Sequence, residues 1–145
     1  MIAVAHPAPF MAARALYAAR APAKPGPRAA HGALAMAHLA QADTYGFVDE
    51  AGALLAVVGF WPLSDGWNEV FTVSAGASRV GPRLGEIMRA GRLIVAARLH
   101  SGVVGMRAMV GHGTSPGARM ARLAGFRVSP AAAPHGFAIW ELAHG

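Results

Sequence analysis

The sequence predicts a mixed α/β fold in which a β-meander leads into a β-α-β unit, and three features of the chain predict it. Three strand-like runs succeed one another between residues 44 and 74, parted only by short turn-forming stretches. A helical repeat of 3.6 residues then runs from Gly81 to Leu99. After it the chain returns to a strand, a short helix closed by glycine, and two final strands. With two helical segments at the start, the expected order is α-α-β-β-β-α-β-α-β-β.

The elements follow in chain order. Residues 1–42 are rich in Ala, Pro and Arg, with helical candidates at Pro9–Arg20 and Arg28–Gln41. Between them Pro22, Pro25 and Pro27 make a loop, since each removes a backbone donor and clashes within a helix. Thr44–Asp49 reads as a strand, and Glu50-Ala51-Gly52 connects it tightly to the next. Ala53–Trp61 is almost wholly apolar, the pattern of a strand buried on both faces. Pro62–Gly66 turns the chain into Trp67–Ser74, a third strand rich in β-branched and aromatic residues. Along the long helix Leu84, Ile87, Met88, Gly91, Ile94 and Val95 mark the inward face. Val103–Val110 is the next strand. Thr114–Ala124 is a short helix, with Thr114 or Ser115 as N-cap, Pro116 in the first turn and Gly125 ending it. Phe126–Ser129 and Gly136–Leu142 close the sheet around a Pro/Ala turn.

A chain of 145 residues fits one domain, divided here into N-terminal helices with a Pro-rich loop (1–42) and a sheet core (43–145). There is no cysteine, which excludes disulfides, thiolate zinc sites and a cysteine nucleophile, and suits a cytoplasmic setting. The composition is 54% hydrophobic and 14% charged, yet no window has the length and apolarity of a membrane span. Met1–Phe10 has no basic n-region, so a signal peptide is not expected. The net charge of +6 rests on twelve arginines and Lys24, a balance that suits a phosphorylated small molecule, nucleic acid or a membrane surface. Arginine over lysine beside so much alanine is also what a GC-rich genome gives, so the positions matter more than the number.

The segment Val73-Ser74-Ala75-Gly76-Ala77-Ser78-Arg79-Val80-Gly81-Pro82-Arg83-Leu84-Gly85 is the most informative. Its small residues let backbone approach a ligand, and a helix start offers N–H groups to an anion. Arg79 and Arg83 add forked donors for phosphate oxygens. The plain alternative is a flexible connection with an ordinary helix start. It is not a P-loop, because the Gly-Lys-Ser/Thr ending is missing.

Read with its flanks, this segment resembles the core of the GNAT acyltransferases: strand, Arg- and Gly-bearing loop, helix, strand, short helix, then Ala124-Gly125-Phe126. Arg79-Val80-Gly81-Pro82-Arg83-Leu84-Gly85 is similar to a loosened form of the family's Arg/Gln-x-x-Gly-x-Gly/Ala loop. Ala124-Gly125-Phe126 stands where the family has Leu-Gly-Phe. The resemblance covers Thr44 to Leu142. It implies helices packed on a mostly antiparallel sheet, splayed between the Trp67–Ser74 and Val103–Val110 strands. It further implies acetyl-coenzyme A as co-substrate, held by Val73, Ser74, Arg79, Gly81, Arg83, Gly85 and Thr114, and an amine acceptor. Glu69 falls where some members place a general base, and removing a proton from the attacking amine is a step such a base would serve. A strand glutamate facing water is the plain alternative. Two departures weigh against catalysis: Thr114 replaces a frequent asparagine, and Ala121 replaces the tyrosine that protonates the departing thiolate.

A narrower resemblance is to GNAT-like proteins of tailed phages, through Trp67–Ser74, the Val110-Gly111-His112-Gly113-Thr114-Ser115 turn and the Arg119–Gly125 helix. It implies a second possibility, a non-catalytic virion or assembly component with phage structural proteins as partners. In either case a homodimer is compatible with the sequence.

Other residues carry less. His6, His31, His38, His100, His112, His135 and His144 are scattered, and without a one-turn His pair or a His-Glu-x-x-His no metal site is expected. His112 is the histidine nearest the expected cleft. No serine lies in a Gly-x-Ser-x-Gly elbow. Trp61, Trp67 and Trp140 read as core or rim aromatics. Arg83, Arg89, Arg92 and Arg98 spread over more than one helix face without interleaved aromatics, which argues against nucleic acid.

Overall fold

The computed structural model describes residues 1–20, 37, 39–111, 115–133 and 136–143. The Pro-rich loop, most of the expected Arg28–Gln41 helix, His112 and Thr114 lie outside these residues. Seven strands form one sheet: β1 (Ala3–Ala5), β2 (Asp43–Val48), β3 (Leu54–Pro62), β4 (Trp67–Ser74), β5 (Gly105–Gly111), β6 (Arg127–Val128) and β7 (Phe137–Ala143). Among the described residues three α-helices longer than a single turn accompany them, α1 (Phe10–Arg20), α2 (Leu84–His100) and α3 (Ser115–Leu123). The strand order is β1-β2-β3-β4-β5-β7-β6, antiparallel throughout except between β4 and β5.

The apolar run in β3 has the position its composition demands. Every residue from Leu54 to Phe60 is buried, because β3 lies between β2 and β4 with apolar packing on both faces. One face meets α1, where Ala13 packs with Val57 and Phe71. The other meets α2, where Ile87 and Val95 join Phe47, Ala56, Val58 and Phe60. The inward residues of α2 recur at the spacing of one helical face, as the sequence predicts.

Two close approaches lock the middle of the sheet. A Cβ on Gly59 would stand 2.2 Å from the Phe71 ring, and one on Gly105 would stand 2.5 Å from the Trp67 ring. Each ring therefore lies flat over a cross-strand partner, Gly59↔Phe71 and Trp67↔Gly105. At the end of α3, Gly125 takes φ +94°, a conformation that suits a residue without Cβ. Its N–H bonds Arg122 O and the next N–H, from Phe126, bonds Ala121 O, the paired bonds of a Schellman cap. Phe126 is then buried in the core against the helix it follows. That is the physical content of Ala124-Gly125-Phe126.

Two expectations are corrected. The first strand, β1, is absent from the sequence reading; three residues shortly before Pro7 are too few to show a period, and pairing with β2 holds them. The second concerns the stretch between Ser74 and Gly81, expected as a loop, with the long helix starting at Gly81. Ala77–Val80 winds into one α-helical turn and Gly81–Arg83 into a 3₁₀ turn that runs into α2. Pro82 is tolerated at the start of that turn, where its missing N–H costs little.

Candidate active site

Strands β4 and β5 pair over only three residues each, Trp67–Glu69 against Gly105–Arg107. The Trp67 ring on Gly105, with the Arg107 guanidinium 4.2 Å above that ring, clamps the paired end. Beyond it β4 stays with β3 as far as Ser74, while β5 stays with β7 as far as Gly111. The two strands separate into a fork, and an apolar cavity of about 290 Å³ opens there.

The predicted residues Val73 and Ser74 line this cavity from β4, opposite Ala108, Met109 and Val110 of β5. Ile87, Met88, Gly91 and Val95 of α2 line it as well, with Met120, Ala121 and Ala124 from α3. Tyr17 of α1 also reaches it, and is the one ionisable side chain among the described lining residues. Glu69 is the last residue of β4 to pair with β5, half-buried at the apex of the fork. By strand alternation its side chain shares the sheet face of Trp67 and Phe71, the face that α1 covers.

A second, more open cleft of about 800 Å³ lies against α2 and α3. Gly81 and Gly85 line it, beside Leu84, Met88, Leu93 and Leu123. Arg89, Arg92 and Arg119 also line it, with no carboxylate among the described lining residues. Arg92 donates from Nε to Leu123 O at 2.8 Å, which satisfies a terminal carbonyl of α3 and ties the two helices together.

The predicted arginines part company. Arg79 is exposed on the helical turn, whose first residues carry no side-chain cap. Arg83 is already engaged: both Nη atoms donate to the Glu50 carboxylate at 2.8 Å, and Nε donates to Glu86. Arg83 thus ties the β2–β3 turn to the start of α2, and its hydrogen bonds hold the Glu50 carboxyl well below the usual carboxylate range. The fork gathers Glu69, Val73 and Ser74, while the second cleft gathers Gly81 and Gly85. The sequence reading missed Tyr17, because a tyrosine on an amphipathic helix looks like core. It also missed the grouping of Arg89 and Arg92 with Arg119. Their i, i+3 spacing on α2 was visible, but the approach of α3 was not. Among the described residues no group of three or more His, Asp or Glu could hold a metal ion. No helix among them is long and apolar enough to cross a membrane.

A sheet splayed between a parallel β4–β5 pair, with helices on both faces, is the fold of the GNAT acyl-CoA N-acyltransferases. Solved structures agree over nearly the whole chain. A candidate acyl-CoA N-acyltransferase of Klebsiella pneumoniae superposes with a TM-score of 0.72 at 19% identity, covering 99% of this chain and 97% of that one. A candidate GNAT-family acetyltransferase of Desulfovibrio desulfuricans gives 0.70 at 14% identity, covering 99% of both chains. The ribosomal-protein-S5-alanine acetyltransferase of Vibrio fischeri gives 0.68 at 13% identity, covering 98% of this chain and 92% of that one. No family model and no curated protein matches the sequence.

Proposed function

We propose that the protein is an N-acyltransferase that moves an acyl group, acetyl in the simplest case, from coenzyme A to an amine. The observation that carries this reading is the fork: paired strands part after three residues and leave an apolar cavity between them. Backbone groups of β4 beyond Glu69 lack a β5 partner, so they are free to bond the amides of an extended ligand, as a sheet edge does. The pantetheine arm of coenzyme A is such a ligand. Its phosphates suit the second cleft, where Arg89 and Arg119 offer charge-assisted donors, with Arg79 on the adjoining turn.

The thioester supplies an activated acyl carbon. The chain's own groups then have three tasks. The fork orients the thioester and, through its apolar walls, keeps water from competing. Glu69 takes the proton that the attacking amine must lose, through water. Tyr17 is suited to protonate the sulfur that leaves as the C–N bond forms and the C–S bond breaks. The residue at 121 cannot do this, being alanine. The virion reading has no observation of this kind in its favour, and an open cavity at the fork speaks for a working site.

Calorimetric titration with acetyl-coenzyme A tests the proposal. Micromolar binding, weakened about tenfold or more by the pair Arg89→Ala and Arg119→Ala, is expected from losing two charge-assisted contacts. Absence of heat and of thermal stabilisation at millimolar ligand would end it.

A further inference from the structure

The cavity does not stop at the fork. On the α2 face it runs sideways under the helix, where Ser74 of β4, Ala56 of β3 and Phe47 of β2 form one cross-strand row that lines it. Val58 and Thr72 line it in the next row. The roof includes Gly91, and a Cβ built there would meet no atom within 4 Å. Space is therefore present by two separate measures, the cavity itself and the emptiness above one helical glycine.

The cavity is open to solvent toward Thr72, which is exposed, while its far end is enclosed, since Phe47 and Ala56 are buried. Among the described lining residues it is walled almost wholly by carbon, with the Thr72 and Ser74 hydroxyls and the Tyr17 phenol as the polar side chains. Water needs several polar partners and gains little in such a place. An engineered apolar cavity of about 150 Å³ is enough for benzene, and this one is about 290 Å³. The pantetheine arm takes the fork end of it, and the part left for the acyl group is the stretch under α2 from Ser74 past Ala56 to Phe47.

We infer that the acyl donor carries a medium-length aliphatic chain, which enters at the fork and lies under α2 toward Phe47. This rests on the acyl-CoA reading above and narrows it. From β4 to β2 is two strand spacings, about 9.6 Å, the extended length of roughly an eight-carbon chain. The small side chains Ala56, Ser74 and Gly91 line the channel, and Phe47 stands at its far end. Burial in carbon strengthens binding with every methylene until the chain meets that end.

The test is calorimetry with coenzyme A and its acetyl, butyryl, hexanoyl, octanoyl and dodecanoyl thioesters. Affinity should rise about threefold to fourfold per methylene and level off near octanoyl. Ala56→Val and Ala56→Leu, which fill the channel by increasing amounts, should flatten that rise while acetyl-coenzyme A binds as before. Unchanged or raised melting temperatures would show that both variants fold. Equal affinity from acetyl to octanoyl, or a rise that both variants leave intact, would overturn the inference while coenzyme A binding stands. Loss of all binding, coenzyme A included, would overturn the acyl-CoA reading and this inference with it.

Discussion

Arg83 and Tyr17 show how one side chain's partner decides its use. Arg83 has the charge and the position for phosphate, yet Glu50 and Glu86 already occupy its donors. Arg83→Ala should therefore lower the melting temperature and leave acyl-coenzyme A affinity unchanged, readable by thermal melts beside calorimetry. Tyr17 has no marked motif but reaches the cavity at the fork. Tyr17→Phe should lower kcat about a hundredfold, the usual worth of a positioned proton donor, with ligand affinity and melting temperature kept. An unaltered kcat would assign the proton to water. Glu69 was legible as a strand residue preceding the loop, but its place at the last β4–β5 pair depends on where pairing stops, which residue types do not encode.

At the scale of elements, legibility follows how local the cause is. The buried run of β3, the period of α2 and the Gly125 cap are local, and each stands where the sequence puts it. β1 and the winding of Ala77–Val80 depend on neighbours, and neither was foreseen. The glycines under rings are of the second kind, since only cross-strand register reveals them. Gly59→Ala would force the Phe71 ring off its partner, a crowding that costs about 1–3 kcal/mol. Urea unfolding should show an earlier midpoint with the slope unchanged. A wild-type midpoint would mean that the ring moves freely.

For the whole molecule, acids are few and mostly tied to arginine. Burial raises the Asp43 carboxyl pKa, but hydrogen bonds from His6 and Arg98 outweigh it and bring the value below normal. Arg98 also donates to the buried Asn68 at 3.0 Å, so this cluster joins β2 and β4 to α2. Asp65 is held low by its hydrogen bond to Arg107. A carboxylate lowered in the folded state contributes stability above its unfolded value and loses it as pH falls through the folded one. Stability should thus decline below about pH 4, where free aspartate begins to protonate, and Asp43→Asn should flatten part of that decline. Denaturant titration across pH 2 to 6, on both proteins, measures it.

The three-pair ladder between β4 and β5 has a consequence for how the molecule opens. Four strands lie on one side of it and three on the other, and among the ladders that join the central strands β2, β3, β4, β5 and β7 this seam is the shortest. Amides of β4 and β5 near the fork should exchange with solvent through opening of the seam, well before those in the β3–β4 ladder. A ligand bonded to both banks would couple the halves and slow that exchange. The gap in the sheet is then also the place where binding makes one cooperative unit out of two.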